Sequence, residues 1–147
     1  MPKQNEKKIV SFSREQMFDL VSDIDRYNEF LPWCTDSKII KREIVNDVEI
    51  IIADLEIGYD QFVYTYRSEV KLYLDKSKIN VKNLDGPFKH LDNSWKFTDI
   101  NNVSCEIDFY IDFELNVKLF DFLMKKFFDL AFQKMVDAFV DRAEEIY

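Results

Sequence analysis

Glycine, proline, histidine and cysteine are all scarce in this 147-residue chain, which has two, three, one and two of them respectively. Its cysteines, Cys34 and Cys105, form no Cys-x-x-Cys motif, so the sequence indicates neither a disulfide framework nor a zinc site. No apolar run approaches the roughly 18 residues of a membrane-spanning helix. The amino-terminal segment has no hydrophobic region typical of a secretory signal. We expect no bound metal and a reducing compartment, either the cytoplasm or the destination of an imported protein.

The sequence also offers no sign of a domain boundary. Residues 1–147 contain no low-complexity linker and no internal repeat, and their number fits one domain. The formal net charge is −8. Because an acidic surface repels phosphate backbones, DNA is not expected among the partners.

A catalytic constellation is also missing. The only histidine, His90, has no evident partner in the sequence, and no G-x-S-x-G motif marks a nucleophile. Four acids occupy the polar side of one alternating strand and are interpreted as a solvated face: Glu106, Asp108, Asp112 and Glu114. We therefore expect no catalytic residue, no catalytic cofactor and no enzymatic activity.

Aromatic residues, by contrast, are abundant, with 14 Phe and 7 Tyr. Alternation of apolar and polar residues predicts strands over 6–12, 36–45, 48–57, 60–74, 77–83, 89–99 and 104–115. The clearest is 104–115, whose pattern is typical of an antiparallel sheet with one solvated side. In 60–74, Arg67 is out of phase with the face expected to be buried and is expected to face solvent; the even positions form that face, namely Phe62, Tyr64, Tyr66, Ser68, Val70, Leu72 and Leu74.

Three segments have helical patterns. Ser13 and Gln16 form a capping box before a helix over 14–21, and Asp23 begins a second short helix that ends near Leu31. Residues 118–147 predict one long, uninterrupted amphipathic helix, long enough to cross a sheet and cover its apolar face. The pattern indicates an α+β fold in which a curved antiparallel sheet wraps this helix.

Four ordered segments match a known pattern. Residues 18–34 contain Phe-x-Leu-Val-x-Asp-Ile-x-x-Tyr-x-x-Phe-Leu-Pro-Trp-Cys, and residues 53–67 contain Ala-x-Leu-x-x-Gly and Phe-x-Tyr-x-x-Arg. Residues 86–97 contain Gly-Pro-Phe-x-x-Leu-x-x-x-Trp-x-Phe, and residues 135–147 contain Met-x-x-Ala-Phe-x-x-Arg-Ala-x-x-x-Tyr. Together they resemble the coenzyme Q-binding proteins of the START-like, polyketide cyclase/dehydrase superfamily. Asn28 stands where that family usually has proline, which implies a less rigid turn before Phe30.

The resemblance implies a helix-grip (START-like) fold with an apolar tunnel between sheet and helix. It implies that ubiquinone or a related isoprenoid lipid is bound as a ligand, and that the protein acts as a lipid chaperone supporting respiratory electron transport. Transient contact with a membrane or with respiratory components follows. The location would be the bacterial cytoplasm at the inner membrane, or the mitochondrial matrix for a mature eukaryotic form.

Two other functions stay open. A bacterial branch similar to this sequence is described as a ribosome-association toxin acting on the large ribosomal subunit. Such binding needs a basic face, for which the candidates are Lys3, Lys7, Lys8, Lys38, Lys41 and Arg42. The superfamily also implies an aromatase/cyclase-type enzyme as a third alternative.

The candidate ligand-binding residues are apolar or aromatic: Trp33, Phe62, Tyr64, Tyr66, Phe88, Trp95, Phe127, Ala131 and Met135. The hydroxyls of Tyr64 and Tyr66 suit a quinone carbonyl, or they bond to backbone or water. Trp33 either gates the tunnel mouth or fastens the short helices to the sheet, and Phe88 has the same two interpretations.

Overall fold

The computed structural model describes residues 3–59, 62–115 and 121–147, without the side chains of Tyr59, Phe62 and residues 121–124. The candidate ligand residue Phe62 therefore has a described backbone only, and the predicted start of the last helix at 118 lies outside the described residues. The elements are β1 (Lys3–Val10), α1 (Arg14–Ser22), a 3₁₀ helix (Ile24–Glu29), β2 (Cys34–Val45), β3 (Val48–Tyr59), β4 (Phe62–Tyr73), β5 (Lys78–Asp85), β6 (Phe88–Asn101), β7 (Ser104–Leu115), α2 (Asp121–Gln133) and α3 (Met135–Ile146).

The strands form one antiparallel seven-stranded sheet in the order β1-β7-β6-β5-β4-β3-β2. Consecutive strands from β2 to β7 are neighbours, and β1 closes the other side by pairing with β7. From Cys105 to Phe113 the odd positions of β7 are buried, and the even positions of the strand are half-buried, as its alternation predicts. The α+β fold with two short helices after the first strand is confirmed.

Both edge strands are polar. β1 begins at Lys3, earlier than the predicted residue 6, because edge pairing with β7 needs no apolar side chain. Of its residues only Val10 is buried, and Ile9 is exposed. The lysines of β1 and the basic residues Lys38, Lys41 and Arg42 of β2 occupy opposite edges of the sheet. The sheet order therefore does not join them into one basic strip.

The amino-terminal helices are fixed by local hydrogen bonds. The Gln16 backbone N–H donates to Ser13 Oγ at 3.1 Å and the Ser13 N–H donates to Gln16 Oε1 at 2.9 Å, which confirms the capping box. The turn at Asn28 is tied to β2: Ser37 Oγ donates to Asn28 Oδ1 at 3.0 Å and accepts from the Asn28 N–H at 3.3 Å. A proline would lack that N–H, so the expected loss of rigidity is offset by two hydrogen bonds.

The predicted single carboxyl-terminal helix is wrong in one respect, because the chain breaks at Lys134 into α2 and α3. The Lys134 N–H is shared between the carbonyls of Leu130 and Ala131, at 3.2 and 3.3 Å. Neither glycine nor proline causes the break. Each helix buries its own apolar face: α2 packs Phe132 on Phe113 of β7, and α3 packs Phe139 on Trp95 of β6.

Candidate functional site

A buried cavity of about 50 Å³ lies between the inner face of the sheet and the helices. Its walls come from α1, the 3₁₀ helix, strands β3 to β7 and both carboxyl-terminal helices. The lining is mostly apolar and includes four of the predicted ligand residues: Trp33, Tyr66, Trp95 and Met135. The structure thus brings together residues from four distant parts of the sequence.

Tyr66 is the most constrained of these side chains. It is buried and meets the Phe88 ring edge-on at 5.3 Å between centroids. The neighbouring Gly86 has φ +139°, and a Cβ there would lie 2.5 Å from Tyr66 Cβ. The Gly-Pro-Phe loop therefore fits against Tyr66 only because residue 86 has no side chain. Phe88 packs against the Tyr66 ring and does not itself line the cavity.

The phenols that line the cavity remain neutral. Burial raises the pKa of Tyr27 and of Tyr66 well above the ordinary value near 10. The Tyr27 hydroxyl donates to the Val21 carbonyl, which holds the 3₁₀ helix against α1. At neutral pH both groups are therefore hydrogen-bonding groups and not bases. Tyr64 is half-buried against the core but lines neither this cavity nor the groove described below.

Two polar side chains that the sequence analysis did not single out also line the cavity. Ser68 is 3% exposed, and its Oγ has no hydrogen-bond partner among the described residues. Asn93 donates through Nδ2 to the Tyr110 carbonyl at 2.9 Å. The signal for Ser68 was present in the sequence, as a hydroxyl interrupting the apolar face of the strand over 60–74.

An open groove of about 690 Å³ is lined by residues of α2 and α3 and by Pro32, Trp33 and Gly58. Three predicted ligand residues line it, Trp33, Phe127 and Ala131, together with Leu130, whose exposed fraction is 52%. Trp33 and Phe127 are half-buried and Ala131 is buried, so the groove offers a concave apolar floor with Leu130 exposed at its side. Lys134, Asp137 and Asp141 form the polar side of the groove.

Trp33 lines both the cavity and the groove. Its carbonyl accepts from the Gly58 N–H at 3.0 Å, which fixes its backbone to β3. A Cβ on Gly58 would lie 2.8 Å from Thr35 Cγ2, so the chain passes tightly here. The residue thus fastens the loop to the sheet through its backbone, while its indole stands between the interior and the surface.

Charged side chains lie elsewhere. Arg67 faces solvent as predicted and holds Asp54 with two hydrogen bonds of 2.8 and 3.0 Å. This guanidinium lowers the pKa of the Asp54 carboxyl. His90 Nε2 lies 3.5 Å from Asp112 Oδ1. Among the described residues no cluster of His, Cys, Asp and Glu could hold a metal ion. Within the same residues, no helix has the length and apolarity needed to cross a bilayer.

The sequence is similar to that of known proteins over nearly its whole length. A family model described as "Polyketide cyclase / dehydrase and lipid transport" matches residues 10–140. The ribosome association toxin RatA of Escherichia coli K12 is 34% identical over 147 residues, covering 100% of this chain and 90% of that protein. Coenzyme Q-binding protein COQ10 homolog B of Xenopus laevis, a mitochondrial protein, is 34% identical over 149 residues. That alignment covers 97% of this chain and 58% of the Xenopus protein.

Solved structures share the fold at low identity. A START superfamily protein from Mycobacterium smegmatis superposes with a TM-score of 0.80 at 17% identity, covering 99% of both chains. The ZhuI aromatase/cyclase from Streptomyces sp. R1128 gives 0.79 at 13% identity, covering 97% of this chain and 93% of the enzyme. These likenesses confirm the helix-grip fold, which is found both in an enzyme and in a protein named only for its superfamily. On the family match and the RatA relative, the resemblance to the superfamily seen in the sequence is confirmed: the chain belongs to the START-like polyketide cyclase/dehydrase and lipid transport family.

Proposed function

We propose that this protein binds an isoprenoid lipid of the ubiquinone type between the sheet and the helices, and that it carries the lipid in support of respiratory electron transport. The observation that carries the proposal is the position of Trp33, which lines both the buried apolar cavity and the open apolar groove. A lipid can lie across both spaces with its ring inside. The protein would then work at the bacterial inner membrane or in the mitochondrial matrix.

The cavity must widen to admit a ring. Its volume is about 50 Å³, whereas an apolar cavity that holds benzene measures about 150 Å³. Phe132 and Met135 lie on either side of the helix break and both line the cavity. A change of angle between α2 and α3 at this break would therefore widen the cavity. Each CH₂-sized group of lipid buried there contributes roughly 0.8 kcal/mol, which offsets the cost of opening.

Binding is better supported than catalysis. The titratable groups among the described lining residues are tyrosines, and burial raises their pKa. A neutral phenol donates a hydrogen bond to a carbonyl oxygen but is a poor base at neutral pH. Such a site orients a ligand without transforming it.

The test is extraction and native mass spectrometry of protein made in a quinone-producing host. We expect the purified wild-type protein to carry an isoprenoid lipid. Ala53→Val, which narrows the cavity, should lose it, whereas Ala143→Val, buried in α3 away from the cavity, should keep it. The two substitutions carry similar overpacking costs of about 1–3 kcal/mol. Wild-type extracts free of any isoprenoid would overturn the proposal.

Association with the large ribosomal subunit is a second candidate, favoured by the RatA relative that aligns with the whole chain. Its most direct support in the fold is the basic group on edge strand β2, although Lys41 and Arg42 there lie near Glu43 and Glu49. We expect co-sedimentation with large subunits at low salt if this function holds, and Lys38→Glu should weaken it. Absence of co-sedimentation at low salt would remove this candidate.

A further inference from the structure

Two buried oxygen atoms without hydrogen-bond partners among the described residues lie on adjacent strands of the sheet. One is Ser68 Oγ on β4 and the other is Asn83 Oδ1 on β5. The two residues are register partners in the antiparallel pair. Unpartnered buried polar atoms are rare in folded proteins because each forfeits its hydration. Two such atoms on register partners favour a bound ligand that supplies the missing hydrogen bonds.

The orientation of Asn83 is fixed by its other hydrogen bond. Its Nδ2 donates to the Phe88 carbonyl at 3.2 Å, which leaves Oδ1 as the free atom. Ser68 lies on the cavity wall, and its hydroxyl can both donate and accept. Ser68 therefore offers a donor within a mostly apolar lining, and Asn83 offers an extra acceptor on the adjacent strand, which suits a ligand oxygen that accepts from Ser68.

Ser68 is well inside the mouth. Gly58 of the groove is the register partner of Val63, and Ser68 lies five residues further along β4, roughly 16 Å at the usual rise of a strand. A lipid whose oxygen reaches Ser68 must extend its apolar part back past Trp33.

We propose, resting on the function proposed above, that Ser68 binds an oxygen atom of the lipid's head group, so that the lipid lies head inward with its tail toward Trp33 and the groove. The ligand class is an isoprenoid with an oxygen-bearing ring, and a plain hydrocarbon lacks the group that this position recognises. A quinone and its hydroquinone share the chemistry, and the hydroquinone can add a hydrogen bond to Asn83.

The experiment compares Ser68→Ala with Ser94→Ala, a matched change on strand β6 at a residue that does not line the cavity. Each protein is titrated with a short-chain ubiquinone, with its reduced form and with an isoprenoid hydrocarbon of the same length. Ser68→Ala should weaken binding of both oxygenated ligands roughly three- to tenfold and leave hydrocarbon binding unchanged, since one neutral hydrogen bond is lost. Ser94→Ala should change none of them.

Two further readouts keep the outcome clear. The infrared carbonyl band of bound ubiquinone should shift to lower frequency in the wild type and return in Ser68→Ala. The melting temperature of ligand-free Ser68→Ala should equal or exceed that of the wild type, because the hydroxyl it removes is unpartnered. Equal effects on all three ligands, or an unshifted carbonyl band, would overturn the head-inward assignment. If the wild type binds none of the ligands, the proposed function itself fails.

Discussion

Single residues set the shape of the candidate site. Gly86 lies against the Cα and Cβ of Tyr66, and the Tyr66 ring meets the Phe88 ring edge-on. Gly86 adopts a backbone conformation that residues with a Cβ rarely adopt. The position of Tyr66 in the cavity wall thus depends on a residue that does not touch the cavity.

Gly86→Ala tests this dependence. We expect a loss of about 1–3 kcal/mol in the free energy of unfolding, because the new Cβ would be strained and would collide with Tyr66. Urea denaturation measures it. Gly58→Ala is the control, because its close contact is with a side-chain methyl of Thr35 that can rotate away. An equal loss for both variants would contradict the special role of residue 86.

The two tryptophans, Trp33 and Trp95, allow a second test at the residue scale. Both line the cavity, but only Trp33 also lines the groove. If the lipid leaves past Trp33, Trp33→Phe should speed its release several-fold, because the smaller side chain widens the opening and lowers the barrier to release. Trp95→Phe should leave the release rate closer to that of the wild type. Stopped-flow transfer of a fluorescent isoprenoid to vesicles measures both rates, and equal acceleration by the two variants would place the exit elsewhere.

At the scale of elements, strands β3 and β4 are joined on their outer face by Asp54 and Arg67. These residues are register partners, and their two charge-assisted hydrogen bonds favour the ionised carboxylate. The pKa of Asp54 is therefore lower in the folded state than in the unfolded chain, where it is near 3.9. The stabilisation is complete above that ordinary value and is lost as the pH falls through the lowered pKa.

Asp54→Asn should therefore be less stable than the wild type at pH 7, and the difference should shrink once the pH falls below about 3.9. Chemical denaturation at a series of pH values measures this difference. The pair is half in solvent, so the effect at pH 7 is expected to be modest. A difference that stayed constant from pH 7 to pH 2 would show that the carboxylate charge is not its source.

The helices and strands show what hydrophobic periodicity predicts and what it does not. Every predicted strand exists, because alternation along a strand reports directly which face is buried. The break at Lys134 was not predictable, because its causes lie in packing: Phe132 contacts Phe113 and Phe139 contacts Trp95 on different strands. A continuous 3.6-residue pattern looks the same for one straight helix and for two helices joined end to end.

At the scale of the whole molecule, the net charge bears on the proposed carriage of a lipid to membranes. The net charge of −8 repels anionic surfaces over the Debye length, about 10 Å at 0.1 M salt. We expect faster lipid transfer to zwitterionic vesicles than to anionic ones at low salt, with the difference disappearing in high salt. Transfer measured to both kinds of vesicle at two salt concentrations tests this. Faster transfer to anionic vesicles would point to a local basic docking surface such as the one on β2.

The candidate site was predictable only in part. Of the nine residues proposed from the sequence, Trp33, Tyr66, Trp95 and Met135 line the cavity, and Phe127 and Ala131 join Trp33 in the groove. Phe88 supports the wall from outside it, Tyr64 lines neither space, and the side chain of Phe62 lies outside the described residues. A pattern of buried aromatics does not distinguish a residue that lines a cavity from one that packs behind it.

The amino-acid sequence by itself determined the strands, the capped first helix, the acidic surface and the family, since each depends on local pattern or on ordered motifs. Tertiary structure alone decided that helix α2 ends before Lys134, that Trp33 lines both a small cavity and a large groove, and that Ser68 and Asn83 are register partners with unpartnered buried oxygens. The physical reason is distance along the chain: these features join residues from different strands and helices, and only the folded backbone sets where their side chains meet.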